Sequence, residues 1–292
     1  MKTIMVRAFP KRALTSMNPH QEHPATGRAL VLSLWRNRSL INQLVRREVI
    51  GRYRGSLLGV AWSFFNPILM LLVYTFVFSV VFKTRWGVAE SASHASFAII
   101  LFVGLIVHGL FAEVANRAPL LIFTNVSYVK RVVFPLEVLP WVAMGSALFH
   151  AAISLTVLLL VQLVIMDQLP WTLILFPVIL APLILTTMGF AWFLAAIGVY
   201  VRDIAQTMGI ITSVMLFMAP IFYPITSLPH RMQLVLYLNP LTFIIEEGRN
   251  VLLFGRLPNW GGLIVYTAVS MVTAWAGFWW FQKTRKGFAD VV

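Results

Sequence analysis

The sequence predicts an all-α integral membrane protein with six transmembrane helices, and three features of the chain lead to that prediction. Of its 292 residues, 59% are hydrophobic and only 11% are charged, whereas soluble domains carry about 25% charged residues. The mean hydropathy is +0.83. Long uncharged stretches recur along the chain, with Lys and Arg near many of their ends. Because apolar stretches suit hydrocarbon and basic ends suit a membrane surface, the chain is expected to cross a membrane repeatedly.

The N-terminal region is basic and is predicted to remain in the cytoplasm. Residues 1–24 lack the apolar segment of a signal peptide, and residues 1–33 are expected to form a cytoplasmic tail. In residues 34–54, apolar side chains recur at helical spacing among arginines. This pattern predicts an amphipathic helix that lies in the plane of the lipid headgroups. Docking of the same helix on a soluble partner is an alternative that is compatible with the first interpretation.

Six apolar stretches follow this helix and are predicted to span the membrane. At 1.5 Å per helical residue, the first of them is long enough to cross a hydrocarbon layer of about 30 Å. Their approximate boundaries are 58–82, 97–115, 138–166, 171–200, 204–222 and 260–281. Pro67 is expected to kink the first span, because proline removes a backbone donor and clashes with the preceding turn. Residues 223–258 are semi-apolar and are expected to form short helices that dip back into the outer interface.

The distribution of basic residues predicts the orientation of the chain. Lys and Arg accumulate in the cytoplasmic segments of membrane proteins. If both termini are cytoplasmic, most of the 23 basic residues fall on that side, and the exceptions are Lys83, Arg85, Arg231, Arg249 and Arg256. The asymmetry therefore favours six spans with both termini inside.

The residues needed to drive transport are scarce in this sequence. No phosphate-binding loop of the form G-x-x-x-x-G-K-[ST] is present, so energy from ATP would have to come from a partner. Few ionisable residues lie at membrane depth, which disfavours an ion-driven carrier. Glu113 and Arg117 are four residues apart, and an ion pair between them is favoured over catalysis.

An embedded enzyme and a nucleic-acid-binding protein are both disfavoured. The chain has no Cys, ten acidic residues and no D-x-D pair, so neither a metal site nor a catalytic site of a membrane glycosyl- or acyltransferase is predicted. His108 and His150 stand alone in apolar runs and are expected to be packing residues. The formal charge of +13 lies beside the spans rather than in a module that reads nucleic acid.

Aromatic side chains in the first and fifth spans are candidates for a substrate passage. An aromatic ring stacks on a sugar ring and leaves the sugar hydroxyls free, so a passage lined in this way would suit a glycan. Helix packing and interfacial positions are the ordinary explanation for the same rings. The candidates, which include one asparagine, are Trp62, Phe65, Asn66, Tyr74, Phe217, Phe222 and Tyr223.

Four sequence blocks together resemble the permease subunits of ABC-2 type exporters. They are RREVIGRYRGSLLGVAWSFFNPILMLLVYTFVFSVVF from residue 46, SYVKRVVFPLEVLP from residue 127, NPLTFIIEEGRNVLLFG from residue 239, and KGFAD from residue 286. The resemblance extends from about Ser33 to the C-terminus. The run RYRGSLLGVAW followed by NP is similar to the branch that exports lipid-linked O-antigen or teichoic acid. The tail before Ser33 matches no motif of this family.

The resemblance implies the ABC-2 exporter fold and a function. It implies a permease in the bacterial inner membrane that moves a polyprenyl-diphosphate-linked polysaccharide outward, between the first and fifth spans of two copies. The permease would act as a homodimer beside two ABC ATPase subunits and among membrane lipids. It would bind no cofactor itself, since ATP and Mg²⁺ would belong to the ATPase. An ABC-2 exporter of a drug or small lipid is the alternative within the same family.

The resemblance also implies roles for particular residues at each end of the spans. The coupling helix that touches the ATPase subunit would lie within residues 125–135, and its contact residues would be Asn125, Tyr128, Lys130, Arg131, Phe134 and Pro135. Outer re-entrant helices would gate the exit, with Glu246, Glu247 and Arg249 at their turn.

A basic cluster in the first block lies where a diphosphate headgroup would meet the inner interface. Its residues are Arg46, Arg47, Arg52, Tyr53 and Arg54. Arginine binds phosphate oxygens through two donors at once. Anchoring to anionic lipid is the alternative role, and it is favoured for most of these residues. Contact with the substrate is expected for one or two of them.

Overall fold

The computed structural model describes residues 25–56, 58–77, 94–130 and 134–291. In these ranges the chain is helical and contains no β-strand, which confirms the predicted all-α class. The α-helices are α1 (Gly27–Tyr53), α2 (Trp62–Tyr74), α3 (His94–Arg117), α4 (Val126–Val129), α5 (Val138–Met166), α6 (Phe176–Gly198), α7 (Ile204–Met218), α8 (His230–Tyr237), α9 (Pro240–Leu252), α10 (Trp260–Thr284) and α11 (Phe288–Val291). Residues 1–24 of the predicted tail, residues 78–82 of the first predicted span, and Arg131 lie outside the described residues.

Helix α1 starts earlier than the sequence pattern predicts. Its N-cap is Thr26, whose side-chain oxygen accepts a hydrogen bond from the Ala29 amide at 3.2 Å. A capping hydroxyl satisfies one of the free amides at a helix start, so the helix begins at Gly27 rather than at Leu34. The amphipathic helix is therefore continuous from this cap to Tyr53.

Within the described residues, five apolar helical segments are long enough to span a membrane. They are Gly59–Val77, Phe97–Leu120, Val138–Met166, Trp171–Gly198 and Trp260–Val291. The fifth predicted span, 204–222, contains instead the shorter apolar helix α7. Ala219 ends that helix in an extended conformation, because the residue before a proline is disfavoured in the helical region and Pro220 follows.

Helix α3 forms the centre of the molecule. It packs against α5, α6, α7 and α9. Many of its side chains are fully buried, among them Ile99, Leu101, Val103, Val107 and Val114. A predominantly apolar helix is stable in this position because neighbouring helices cover most of its surface.

Helices α6 and α10 make the most extensive helix pair in the described part of the chain. Two glycines allow it: a Cβ built on Gly189 would collide with the backbone of Thr273, and a Cβ on Gly277 would collide with the backbone of Gly189. Small residues let membrane helices approach until their backbones touch. The close approach increases van der Waals packing, which matters because the hydrophobic effect does not drive helix association within lipid. This pair fixes the last span against the fourth predicted one.

Helices α2 and α7 lie on the outside of the chain, with large apolar side chains exposed. Only 17% of the residues in the most apolar part of Gly59–Val77 are buried, compared with 72% for Phe97–Leu120. The exposed side chains of the two helices include Phe64, Leu72, Ile210, Val214 and Phe217. These surfaces are suited to lipid or to another apolar surface.

Different helices meet at the two ends of the molecule, which are named the α1 end and the α9 end after one helix at each. At the α1 end, Leu44 packs with Val138 and Val142 near the start of α5, and the end of α10 lies nearby. At the α9 end, Asn239 caps α9 by accepting a hydrogen bond from the Leu241 amide at 3.0 Å, and α9 packs beside α3 and α6. The candidate site residues are divided between these ends.

Candidate functional site

A charged cluster joins α1, α3 and α5 at the α1 end. Glu113 of α3 is its centre: Arg52 Nη1 lies 2.9 Å from Glu113 Oε1, and His150 Nδ1 lies 2.8 Å from Glu113 Oε2. Arg117 Nη1 lies 3.6 Å from Glu113 Oε1, as the spacing of four residues predicts. Arg117 also forms an ion pair with Glu48 of α1. These contacts bind the end of the amphipathic helix to two membrane helices.

Histidine 150 has a different role from the one predicted for it. The sequence places it in an apolar run as a packing residue, but its Nδ1 meets Glu113 and its Nε2 lies 3.1 Å from the Tyr53 hydroxyl. If Nδ1 donates its proton to Glu113, Nε2 accepts from Tyr53. His108, for which packing is also predicted, is partly buried, and its Nε2 lies 2.9 Å from the Thr212 carbonyl oxygen.

The five residues of the predicted headgroup cluster separate into two groups. Arg52 and Tyr53 belong to the charged cluster, and Arg47 donates to the Tyr128 hydroxyl at 2.7 Å. Arg46 and Arg54 are exposed and form no ion pair within the described ranges. The guanidinium groups of Arg46 and Arg54 are therefore available to an anion. Arg47, Arg52 and Tyr53 instead hold α1 to the rest of the molecule.

The segment around α4, predicted to couple to an ATPase, is bound to the molecule on two sides. The Tyr128 ring stacks on Phe134 with centroids 4.3 Å apart and planes 7° apart. Arg47 of α1 holds Tyr128, while Arg285, just beyond α10, donates to the Phe134 carbonyl at 2.9 Å. Lys130 is exposed.

Two further positions of this segment complete its local structure. Asn125 donates to the Leu121 carbonyl at 2.9 Å, which stabilises the turn that precedes α4. Pro135 is partly buried before the start of α5. A cavity of about 140 Å³ separates α1 from this turn and is lined in part by Arg47, Asn125 and Tyr128. The segment around α4 thus touches α1 at Tyr128 and is separated from it elsewhere by this small cavity.

The structure brings four of the seven passage candidates together. The Tyr74 and Phe222 rings lie 6.4 Å apart, and Phe217 stacks on Phe222 at 5.5 Å. The Tyr223 hydroxyl donates to the Phe217 carbonyl at 3.0 Å. These residues join the end of α2 to the end of α7.

The other three passage candidates lie at the opposite end of α2. Trp62 and Phe65 meet edge to face with centroids 5.0 Å apart. Asn66 is exposed one residue later. The aromatic candidates therefore form two separate groups rather than one continuous row.

Glu246, Glu247 and Arg249 do not lie at a turn, as the resemblance implied, but inside α9. The helix begins at Pro240, where proline suits the first helical position, and continues past all three residues. The turn between α8 and α9 is formed by Leu238 and Asn239 instead. The prediction of their position was therefore wrong.

Arg249 is buried, and each of its three side-chain nitrogens has a hydrogen-bond partner. Its side chain is 2% exposed, and Nη1 lies 2.9 Å from Glu246 Oε1. Nε donates to the Ile100 carbonyl and Nη2 to the Ile221 carbonyl, both at 3.1 Å. One side chain thus connects α9 with the first turns of α3 and with the segment after α7.

The electrostatics at the α9 end follow from this burial. Burial raises the pKa of Glu246, and the Arg249 guanidinium partly offsets the rise. Burial lowers the pKa of Arg249 to about 10, so its guanidinium remains protonated at neutral pH. Glu247 accepts from the Asn259 amide at 3.0 Å and thereby connects α9 to the cap of α10.

A separate ion pair at the α1 end, outside the charged cluster, is not predicted by the sequence. Arg285 Nη1 lies 2.7 Å from Glu137 Oε2, and Ser33 of α1 donates to Glu137 Oε1 at 3.2 Å. Trp192 of α6 donates to the Glu137 carbonyl at 3.2 Å. The only signal in the sequence is that Glu137 is a lone acidic residue between two prolines.

Comparison with known proteins places this arrangement in a family. A family model described as "ABC-2 type transporter" matches residues 39–253. The O-antigen export system permease protein RfbA of Myxococcus xanthus is 30% identical over 265 residues, which cover 90% of this chain and 99% of that protein. A Klebsiella pneumoniae protein of the same name is 24% identical over 255 residues, covering 87% of this chain and 95% of that protein.

A third relative carries a different name. The polysialic acid transport protein KpsM of Escherichia coli is 22% identical over 247 residues, covering 81% of this chain and 90% of that protein. The family match extends over most of the chain, from the middle of α1 to the end of α9. It confirms the resemblance read from the four sequence blocks, and this integral membrane chain belongs to the ABC-2 type transporter family.

Proposed function

We propose that this chain is the transmembrane permease of an ABC exporter that moves a polyprenyl-diphosphate-linked polysaccharide outward across the bacterial inner membrane. The observation that carries the proposal is the 30% identity to an O-antigen export permease along 99% of that protein. Another relative, the polysialic acid transport protein KpsM, is also named for the transport of a polysaccharide. The chain belongs to a family of transporters rather than of enzymes. This membership is consistent with a sequence that has no phosphate-binding loop of the form G-x-x-x-x-G-K-[ST].

The proposed permease crosses the membrane six times, with both termini in the cytoplasm. Helix α7 would supply the fifth crossing although its 15 residues extend only about 22 Å. The segment after α7 is buried at Ala219 and Ile221 and would complete the crossing inside the protein. Helices α8 and α9 would then be the outer re-entrant helices, and the α1 end would face the cytoplasm.

The permease is proposed to act as a homodimer. Helices α2 and α7 expose large apolar side chains, and their ends meet at Tyr74 and Phe222. Two copies facing each other through these helices would enclose a passage lined with aromatic rings. In that arrangement Phe217, 65% exposed in the single chain, would contact the glycan.

Coupling to ATP hydrolysis is proposed to pass through the segment around α4. Tyr128, Lys130 and Phe134 would contact one ABC ATPase subunit per permease, and ATP with Mg²⁺ would be bound there. Arg47 and Arg285 hold this segment to α1 and to the end of α10. A displacement of this segment would thus be transmitted both to α1 and to the end of α10.

The diphosphate of the substrate is proposed to meet Arg46 and Arg54. Both are exposed at the α1 end without an ion pair in the described ranges, so neither has to give up a partner when it binds phosphate. Arg52, paired with Glu113, would hold the charged cluster together instead. The rings of Trp62 and Phe65 would lie near the entry of the passage.

The test is ATP hydrolysis by the chain in lipid, alone and with the ABC ATPase encoded beside it. We expect activity only in the complex, and a change in its rate when a polyprenyl-diphosphate-linked glycan is added. A control with the free polyprenyl phosphate separates recognition of the glycan from recognition of the lipid carrier. Failure of any ATPase to associate would contradict the proposal, and a rate that responds only to a small amphiphile would reassign the substrate.

A further inference from the structure

The last turn of α1 is held from the side by three side chains, one from each of three helices. Glu113 of α3 meets His150 of α5, with 2.8 Å between Glu113 Oε2 and His150 Nδ1. The second ring nitrogen of His150, Nε2, lies 3.1 Å from the hydroxyl of Tyr53, which is the last residue of α1. These three side chains, here named the Tyr53 triad, connect the end of the amphipathic helix to the central helix of the molecule.

The geometry of the Tyr53 triad fixes which atoms donate. A carboxylate only accepts hydrogen bonds, so Nδ1 of His150 carries the proton that it donates to Glu113. In the neutral ring Nε2 is then the acceptor, and the Tyr53 hydroxyl donates to it. Burial raises the pKa of the Tyr53 hydroxyl, so it keeps the proton that it donates.

Packing holds the His150 ring in the orientation that these bonds need. The Tyr53 ring meets it edge to face, with centroids 6.3 Å apart and planes 83° apart. Five residues earlier on α5, a Cβ built on Gly145 would collide with the Val45 side chain of α1. Since this close contact already fixes the separation of α1 and α5, the Tyr53 triad is left to orient the last turn of α1.

The orientation of this turn matters because of the two residues that follow it. Arg54 caps α1 in an extended conformation, with φ −69° and ψ 127°, and its side chain is exposed. Gly55 comes next with φ +88°, a conformation that residues with a side chain disfavour. A Cβ on Gly55 would meet no atom within 4 Å, so this glycine serves the backbone turn rather than packing. The direction in which Arg54 points therefore depends on the last turn of α1.

The other contacts at this end of α1 are weak. The last carbonyls of a helix have no partner inside it, and helix ends fray for that reason. The Arg54 amide donates to the Gly51 carbonyl at 3.3 Å, which is longer than usual. Arg52 pairs with Glu113 but is 40% exposed, and exposed ion pairs contribute little. The hydrogen bond from Tyr53 is therefore the contact best suited to hold the last turn in one orientation.

We propose that His150 is a positioning residue that, through its hydrogen bond with Tyr53, directs Arg54 toward the diphosphate of the substrate. This inference rests on the proposed function, which brings a polyprenyl-diphosphate headgroup to Arg54. His150 does not touch the substrate. When its bond to Tyr53 is lost, the last turn of α1 adopts several orientations, and the apparent affinity for the headgroup falls with the fraction in which Arg54 can bind. The maximal rate at saturating substrate is unchanged.

The experiment measures ATP hydrolysis by the complex of the permease with its ABC ATPase in lipid nanodiscs, at increasing concentrations of polyprenyl-diphosphate-linked glycan. Tyr53→Phe removes the hydroxyl and keeps the ring. His150→Asn keeps a donor near Nδ1 and removes the acceptor at Nε2. Each is expected to raise the half-saturating concentration of glycan about tenfold at an unchanged maximal rate. His150→Gln, which keeps an acceptor near Nε2, is expected to recover part of the lost affinity.

Combined variants test whether His150 acts through Arg54. Y53F combined with H150N is expected to raise the half-saturating concentration no more than either change alone, because both break the same hydrogen bond. Arg54→Gln alone is expected to raise it as well, and H150N added to R54Q is expected to have no further effect. His108→Asn is the matched control, since His108 also joins two helices, α3 and α7, through its contact with Thr212.

Two outcomes would overturn this inference and leave the proposed function intact. In the first, the wild-type complex responds to the glycan, and Y53F and H150N respond at the same concentration as wild type. In the second, H150N weakens the R54Q variant by the same factor as it weakens wild type, so that His150 acts elsewhere. A wild-type complex that ignores the glycan would contradict the proposed function itself. Thermal unfolding checks each variant, and Y53F, which lacks only one hydroxyl, decides the matter if H150N does not fold.

Discussion

The contacts of Arg249 at the α9 end and the charged cluster around Glu113 at the α1 end differ in how deeply the arginine is buried and in what it joins. At the α9 end, the Arg249 side chain is 2% exposed and bonds to two backbone carbonyls as well as to Glu246. At the α1 end, Arg52 is 40% exposed and Glu113 is 20% exposed, and the partners in the cluster are side chains. The first is a fixed connection between helices, and the second is a set of exchangeable ion pairs.

The difference follows from what each residue loses when its contact breaks. A buried guanidinium without partners would leave a charge and two carbonyls unpaired, which costs several kcal/mol. Arg52 can turn to water, and ion pairs at exposed positions contribute about 0–1 kcal/mol each. The α9 end should therefore hold its structure, while α1 at the other end exchanges its ion-pair partners more readily.

The largest effect is expected for Arg249→Met. The substitution keeps much of the volume but removes three hydrogen-bonding contacts and leaves Glu246 unpaired, at a cost of about 3–5 kcal/mol. We expect the purified protein to lose most of its thermal stability, measured by unfolding in detergent. Arg256→Met is the matched control, because Arg256 is exposed beside Phe254. Equal stability of the two variants would contradict the role assigned to Arg249.

An intermediate effect is expected for Glu113→Gln. The amide keeps the shape but removes the charge that Arg52, Arg117 and His150 share, with a cost of about 1–3 kcal/mol. Amide hydrogen exchange should accelerate in the second half of α1 and stay unchanged in α9. Asp203→Asn, at an exposed acidic side chain, is the control. Unchanged exchange in α1 would show that apolar packing alone holds that helix.

A smaller effect is expected for Tyr128→Phe. This variant keeps the stack on Phe134 and removes only the hydrogen bond from Arg47, which contributes about 0.5–1.5 kcal/mol. Global stability should change little, while the affinity for the ABC ATPase should fall, as measured by co-purification at increasing salt. A stability loss as large as that of Glu113→Gln would mean that the contact is structural rather than part of coupling.

The smallest structural effect is expected for Arg46→Gln combined with Arg54→Gln. Neither side chain has an ion pair in the described ranges, so thermal stability and membrane insertion should be unchanged. Export of the polysaccharide, measured by surface labelling of cells, should fall because two phosphate contacts are lost. Normal export by this variant would remove both residues from the substrate site.

The helices were largely predictable from the sequence, whereas contacts between distant residues were not. Apolar runs with basic ends predict spans such as Val138–Met166, whose observed limits equal the predicted ones. The start of α1 was missed because a threonine cap, not hydrophobic periodicity, sets it. Helix α7 is shorter than the fifth predicted span, 204–222, because Pro220 ends the helix before the apolar run ends.

The candidate site was harder to predict for a physical reason. When every face of a helix is apolar, periodicity does not fix its rotation, so no pattern brings His150 to Glu113 or Arg285 to Glu137. Local spacing did predict the pair between Glu113 and Arg117. Charges within one helix turn can be paired from the sequence, but pairs between helices require the packed structure.

The central claim is that this chain moves a lipid-linked polysaccharide with energy from a partner. Its direct test is a liposome that holds the chain and its ABC ATPase, with a polyprenyl-diphosphate-linked glycan in the membrane. A glycosidase present only on the far side reports movement. We predict ATP-dependent cleavage that stops when the ATPase cannot hydrolyse ATP. Cleavage without ATP, or an active complex that never exposes the glycan, would contradict the account.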